Sequence, residues 1–353
     1  MTGTRSAPAA RACRQGAQMQ SAPWTVRVAA LFKQDSPKTK KRVEQDRVAE
    51  PIDSAVSSPG AYLALGLLYT IAAVPAIVAP QAAADFLFGA AQPHDTQFEQ
   101  LFRIFAAGNL SAATASLAIK YGAKDGALGD SVYKRLEAAL IAFATVSALL
   151  QTTTSAQPDS VLTFPSFWAS FAIMGLTVAI AWGGFGKTGY GLSLKRYGPL
   201  PILKKVQDDT VGLGNTAAGS SGLVAKLYAA LTFAFAGAGA SYLLLSEETL
   251  AGVLGGVQGA ESLFLWRAIG GAVLTLVPAV AYSLKEAAEN DDLGEAPYKV
   301  LNFGLAGAGA LHLAVLLPTQ LAGAGGFLTP VVLGTWVLAT AVAGGNLLVS
   351  SRK

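Results

Sequence analysis

The chain is dominated by eight apolar segments, most of them close to the roughly 20 residues that a helix needs to cross a bilayer. They are rich in Ala and Leu, lack the alternation of a strand, and contain almost no charged residue. A soluble helical bundle would instead carry charged outer faces. We therefore predict an all-α integral membrane protein whose eight transmembrane helices are Ala61–Pro80, Leu101–Ile119, Leu136–Leu150, Val161–Trp182, Leu223–Leu245, Leu263–Leu284, Val300–Leu317 and Phe327–Val349.

The composition argues against several kinds of site. A single Cys allows no internal disulfide and no Cys-based metal site, and two His leave little for a His-based metal or haem centre. The chain has no Ser–His–Asp set, no paired carboxylates and no dinucleotide-binding motif. We therefore predict no catalytic residue, no metal, no cofactor and no nucleic-acid partner.

Basic residues are distributed unevenly between the two sides of this eight-span arrangement. All Lys and Arg after residue 60, except Arg103 and Arg267, lie in segments on one side. Loops on the other side carry acidic residues or no charge. Because basic residues stay on the side of synthesis, we predict that both termini lie on that side. Seven or nine spans would not separate the charges in this way.

The N-terminal region has the composition of a targeting sequence. Residues 1–34 contain several Arg and many Ala and Ser, but no acidic residue before Asp35 and no apolar run of a secretory signal. We interpret residues 1–50 as an organellar transit peptide followed by a basic spacer, and we favour the chloroplast, with both termini in the stroma. A mitochondrial presequence, with the protein in the inner membrane, and an ordinary basic tail are the alternatives.

The sequence also contains an internal duplication. The pattern L-G-[DE]-x-x-Y-K-x-L occurs at residues 128–136 and again at 293–301. Arg103 and Arg267, each preceded by an aromatic residue, recur at nearly the same separation. We predict two parallel four-helix repeats, residues 60–186 and 222–350, joined by a polar linker at 187–221. An even number of spans per repeat places the pseudo-two-fold axis along the membrane normal.

The first repeat carries a recognisable series of features. Leu65–Tyr69 is followed by Pro75 and Pro80, by the turn Phe86–Gly89, and by Arg103 at the start of the second span. This series resembles the four-helix membrane module of the DoxX-like superfamily. The resemblance implies the fold, an up-down four-helix membrane bundle, but no activity, because that superfamily is functionally mixed. The second repeat matches the series poorly.

Arg103 and Arg267 are candidate binding residues. A guanidinium in an apolar setting binds carboxylate or phosphate through two contacts, so both could hold an anion or a lipid headgroup. In the alternative interpretation they extend to the membrane surface, with Glu99 as an ion-pair partner for Arg103.

Two further residues near or inside the spans carry ionisable groups. His312 lies in the middle of the seventh span and could bind a pigment or haem, although a bond to a neighbouring carbonyl is the simpler interpretation. Glu137, whose counterpart in the second repeat is Asn302, is interpreted as an acid that compensates the dipole at a helix N-terminus.

These observations favour one function over two alternatives. We predict a plastid membrane protein, in the thylakoid rather than the inner envelope, with an accessory, assembly or structural role; its partners are the lipid bilayer and other membrane protein subunits. A carrier or channel for a small anionic solute is the first alternative, suggested by the duplicated arginines. A membrane oxidoreductase-associated DoxX-like subunit is the second.

Overall fold

The fold is known from a computed structural model that describes residues 57–89, 96–155, 162–185, 214–215, 222–254, 259–323, 326 and 329–350. The predicted transit peptide and nearly all of the predicted linker lie outside these residues. Within them, the helices are α1 Pro59–Val78, α2 Pro80–Phe88, α3 Thr96–Lys124, α4 Ser131–Ser155, α5 Phe164–Phe185, α6 Leu223–Leu244, α7 Glu247–Leu254, α8 Gly259–Glu289, α9 Ala296–Leu321 and α10 Thr329–Ser350.

The prediction of an all-helical protein with eight spanning helices is confirmed for the described part of the chain. Eight of the helices are long and apolar enough to cross a membrane, namely all except the short α2 and α7. Each predicted segment falls on a separate one of these eight helices. The first segment was predicted to run through Pro80, but the helix stops at Val78 and Pro80 starts α2, because proline fits the first turn of a helix.

Helices α3 and α8 form the centre of the molecule. About 72% of the apolar stretch of α3 and 78% of that of α8 is buried, against 22% for α10. The hydroxyls buried in α3 bond to carbonyls one turn earlier on the same helix: Ser111 to Ala107 at 2.9 Å, and Ser116 to Ala112 at 2.8 Å. Because these groups are satisfied locally, a helix of modest hydropathy can occupy the core.

We call α1–α5 the first half and α6–α10 the second half. Helix α1 packs against α3 and α4 against α5, and in the second half α6 packs against α8 and α9 against α10. Between the halves, α3 contacts α8 and α9, and α4 contacts α8. The bidentate ion pair of Arg135 and Glu286, with N···O distances of 3.0 and 3.1 Å, connects α4 to α8.

Small residues lie where the helices approach most closely. A Cβ atom at Gly239 would collide with the backbone of α8 at Leu274, and one at Gly66 would lie 3.3 Å from the Ala113 carbonyl oxygen of α3. The Gly- and Ala-rich stretch 236–240 lies in α6. Its Gly239 packs within the second half, because the absence of a side chain there allows α6 to reach α8.

The turns that follow α3 and α8 have the same backbone hydrogen bonds. In the first, the amide of Ala127 donates to the Gly122 carbonyl at 2.8 Å, with Gly126 at a φ of 67°. In the second, Asp292 donates to the Ala287 carbonyl at 2.8 Å, and the residue in the left-handed conformation is Asp291 at 62°. Both have the geometry of a helix-ending Schellman turn.

Candidate functional site

A buried polar pair lies inside the first half. Tyr62, in the first turn of α1, and Glu137, in the second turn of α4, have no exposed surface. The Tyr62 hydroxyl donates to Oε1 of Glu137 at 2.5 Å, and the same hydroxyl oxygen lies 3.5 Å from the Ile180 carbonyl oxygen of α5. Glu137 Oε2 is also buried and has no hydrogen-bond partner among the described residues.

Gly184 makes room for this pair near the end of α5. A Cβ atom at position 184 would overlap with Glu137 Oε1 and would lie 2.5 Å from the Tyr62 hydroxyl. Helix α5 can therefore lie directly against the carboxyl group only because residue 184 has no side chain.

A second buried polar group lies inside the second half. The Tyr228 hydroxyl of α6 donates to Oδ1 of Asn302 on α9 at 2.5 Å, and it accepts from Nδ2 of Asn346 on α10 at 2.9 Å. Tyr228 and Asn302 are at most 1% exposed. In this group the tyrosine hydroxyl donates to one neutral amide and accepts from another.

The structure changes the interpretation of Glu137. This residue was interpreted as compensating a helix dipole, but its side chain is fully buried and bonded to a tyrosine of another helix. Sequence reasoning missed Tyr62 altogether. One signal was present: Tyr62 and Tyr228 recur at almost the same separation as Glu137 and Asn302.

The two predicted binding arginines have different surroundings. The Arg267 guanidinium donates to the Tyr242 carbonyl at 2.9 Å and to the Leu245 carbonyl, both at the C-terminal end of α6. It therefore satisfies carbonyls that the helix leaves without a partner. Arg103 is half-buried, and it has no hydrogen bond or ion pair with any described residue. The expected ion pair with Glu99 is not formed.

His312 makes the bond that its simpler interpretation required. It is 4% exposed, its Nδ1–H donates to the Ala308 carbonyl at 2.8 Å, and its ring stacks on Trp336 at 3.8 Å between centroids. Because a carbonyl can only accept, Nδ1 carries the proton and Nε2 is the free acceptor. Nε2 is the nitrogen that a pigment or haem would use, and that role stays a prediction.

A small cavity lies beside this imidazole. It has room for about one water molecule. Nε2 of His312 and the indole nitrogen of Trp266 are both buried without a hydrogen-bond partner in the described part of the chain. The cavity is lined by these two side chains and by Ile104, Tyr242, Leu316, Thr329 and Val332.

The acidic, His and Cys residues that the structure describes form no group of three or more that could hold a metal ion. No protein-family model and no curated protein matches the chain. The function must therefore be argued from the residues and their geometry.

Proposed function

We propose that this chain is a thylakoid membrane protein of the plastid, built from two parallel four-helix repeats, with an accessory, assembly or structural role. Eight apolar helices fit a multi-pass membrane protein in a lipid bilayer. Three parts of the proposal rest on sequence: the organelle, the stromal position of both termini and the relation to the DoxX-like module.

The repeat architecture is supported by contacts that recur in both halves. The turns after α3 and α8 share their hydrogen bonds, and each half buries a tyrosine hydroxyl 2.5 Å from a polar side chain of its third long helix. The same helix pairs pack in each half. Since tertiary contacts of this kind require matching residues on several helices, independent origin of the two halves is a poorer explanation.

The packing between the halves carries the proposed role. A Cβ atom at Gly108 of α3 would lie 2.9 Å from Cβ of Ala272 of α8, and one at Gly304 of α9 would collide with Thr114 of α3. In carriers built from repeats, the substrate site lies between the repeats, and the two parts move against each other. Direct contact of small residues across this interface supports a role in which the halves stay together.

Two experiments test the proposal. Import of the full-length precursor into isolated chloroplasts should yield a shortened product in the thylakoid fraction, with its C-terminus accessible from the stroma. Import into mitochondria instead would contradict the location.

Purification of the tagged protein from gently solubilised thylakoids should yield another membrane subunit at fixed stoichiometry, and recovery of the protein alone would contradict the accessory role.

Arg103 favours a second candidate, a carrier or channel for a small anionic solute. Its guanidinium is half-buried and unpaired among the described residues, whereas Arg267 is occupied by carbonyls. An anion would supply the missing partner. Uptake of a series of small carboxylates and phosphate into liposomes, for the natural chain and for Arg103→Gln, would separate the candidates. Uptake that disappears in the variant would favour the carrier.

A further inference from the structure

Neither proposed function uses the carboxyl group of Glu137. This group is fully buried within a spanning helix, and α5, which packs against that helix, contains no ionisable side chain. Among the described residues Glu137 has one hydrogen-bond partner, Tyr62, and no ion pair. A carboxylate in such surroundings is costly, because it is buried away from water and no cation forms an ion pair with it among the described residues.

The charges on the surrounding helices do not neutralise this carboxyl group. Lys134, one turn earlier on α4, is the cation whose charge acts on Glu137, and it makes no hydrogen bond to either carboxyl oxygen. Helix α1 carries no charged side chain between Pro59 and Val78. Other charged groups near the same ends of α3, α4 and α8 include Lys120, Lys124, the acids Asp125 and Asp130 of the turn between α3 and α4, the pair Arg135–Glu286 and the pair Lys285–Glu289.

The contacts at the site can also accommodate a neutral carboxylic acid. With a proton on Oε1, the 2.5 Å contact becomes a bond from the acid to the Tyr62 oxygen. The Tyr62 hydroxyl hydrogen can then turn to the Ile180 carbonyl oxygen, which lies 3.5 Å away and accepts only. The acid hydrogen then has a short bond, the tyrosine hydrogen faces an acceptor at the outer limit of hydrogen-bond distance, and the unpartnered Oε2 is an uncharged carbonyl oxygen.

We propose that Glu137 and Tyr62 form a proton-binding site within the membrane-spanning part of the first half, in which Glu137 is the neutral acid in the folded protein. The site binds one proton on the carboxyl group of Glu137 and can release it. This proposal depends on the spanning helices alone, and it stands whether or not the protein is a plastid subunit.

The second half shows that the fold accepts a neutral group at this place. Asn302, the counterpart of Glu137, takes the same 2.5 Å contact from Tyr228 with an amide that cannot ionise. Asn346 adds a donor to that tyrosine, and no such donor reaches Tyr62 from the described residues. The second half therefore holds a fixed neutral group where the first half has one that can exchange a proton.

Infrared difference spectroscopy of the full chain in liposomes tests the proposal. At neutral pH the natural protein should show the C=O stretching band of a protonated carboxylic acid, shifted by exchange into D2O and lost in Glu137→Gln. Asn302→Asp is the matched control, because the Asp carboxyl group has the same shape as the Asn amide that it replaces in the second half. This variant should show a second band. Absence of the first band from the natural protein would overturn the proposal.

Thermal unfolding distinguishes a proton from a bound metal cation. Gln mimics the neutral acid, so Glu137→Gln should move the unfolding midpoint by less than about 2 °C, with no dependence on Na⁺ or K⁺. Glu137→Ala, which leaves Tyr62 without its partner, should lower the midpoint by several times that amount. If Na⁺ or K⁺ stabilises the natural chain but not Glu137→Gln, the site holds a cation and the proposal is wrong.

Discussion

The buried polar groups of the two halves have the same framework and different chemistry. In the first half Tyr62 meets Glu137, a group that can ionise, and one carboxyl oxygen has no partner in the described residues. In the second half Tyr228 lies between two amides, Asn302 and Asn346. One arrangement is satisfied by neutral groups alone, whereas the other depends on whether a proton is present.

The duplicated arginines differ in a parallel way. Arg267 donates to two carbonyls at the end of α6, whereas Arg103 has no partner among the described residues. In the second half, Arg267 and the group around Tyr228 are therefore both satisfied by protein atoms, and their roles are structural. Function is expected at the equivalent places of the first half, where Glu137 needs a proton and Arg103 needs a ligand to be satisfied.

The largest effect is expected at Gly184. Replacing Gly184 with Ala puts a methyl group onto the Glu137 carboxyl and the Tyr62 hydroxyl, which should cost about 3 kcal/mol of stability. Gly345→Ala in α10 is the control, because a Cβ atom there meets nothing within 4 Å. Thermal unfolding of the solubilised proteins measures both, and equal midpoints would show that α5 does not press on the pair.

The two tyrosines provide a sharper comparison. Tyr228→Phe leaves two amide groups without a partner and should cost about 2 kcal/mol. Tyr62→Phe leaves only a neutral acid and should cost about 1 kcal/mol. Denaturant or thermal unfolding ranks the two variants. A larger loss for Tyr62→Phe would indicate that Glu137 is ionised and would reverse the comparison.

The existence of the spanning helices could be predicted from sequence, but the buried contacts between them could not. Apolar length fixes where a helix lies, and the i−4 carbonyl that accepts from His312 belongs to the same helix, so both are local properties. The contact of Tyr62 with Glu137 depends on how α1, α4 and α5 are rotated about their axes. Nothing along a single apolar segment specifies that rotation.

The limits of sequence reasoning are also visible at the helix ends. The second span was predicted from Leu101 to Ile119, whereas α3 extends from Thr96 to Lys124. The carbonyls that Arg267 caps belong to α6, more than twenty residues earlier in the chain. Its role as a cap follows only from the packing of α6 against α8, and a pattern of single residues does not contain it.

Arginine-to-lysine substitutions should give smaller, unequal effects. Arg267→Lys should cost about 1 kcal/mol, since one ammonium group cannot reproduce two guanidinium contacts to separate carbonyls. Arg103→Lys should change stability by less than about 0.5 kcal/mol. The measurement is thermal unfolding with and without anionic lipid. Stabilisation of the natural chain by the lipid, lost in Arg103→Lys, would show that Arg103 holds a headgroup.

The smallest effect concerns the two equivalent turns. Asp292 lies where the first turn has Ala127, and its pKa is raised by burial and by the charge of Asp291. The pKa of Glu295 is also raised, again by burial and then by Asp292. An acid whose pKa is raised on folding holds its proton more tightly in the folded state. Its contribution to stability is therefore present below the ordinary pKa of the acid and is lost as the pH rises through the raised value.

In Glu137→Gln, which removes the buried acid whose own proton binding would also make stability fall with rising pH, the unfolding midpoint should accordingly decline slightly as the pH increases across this range. Asp292→Ala, which gives the second turn the residue of the first, should remove most of that decline, because it deletes one of the two acids and the charge that acts on the other. Asp125→Ala in the first turn serves as the control, since it removes an acid from the equivalent turn of the other half. If the decline is unchanged in Asp292→Ala, the groups that cause it lie elsewhere in the protein. The two turns would then differ in sequence but not in their effect on the pH dependence of stability.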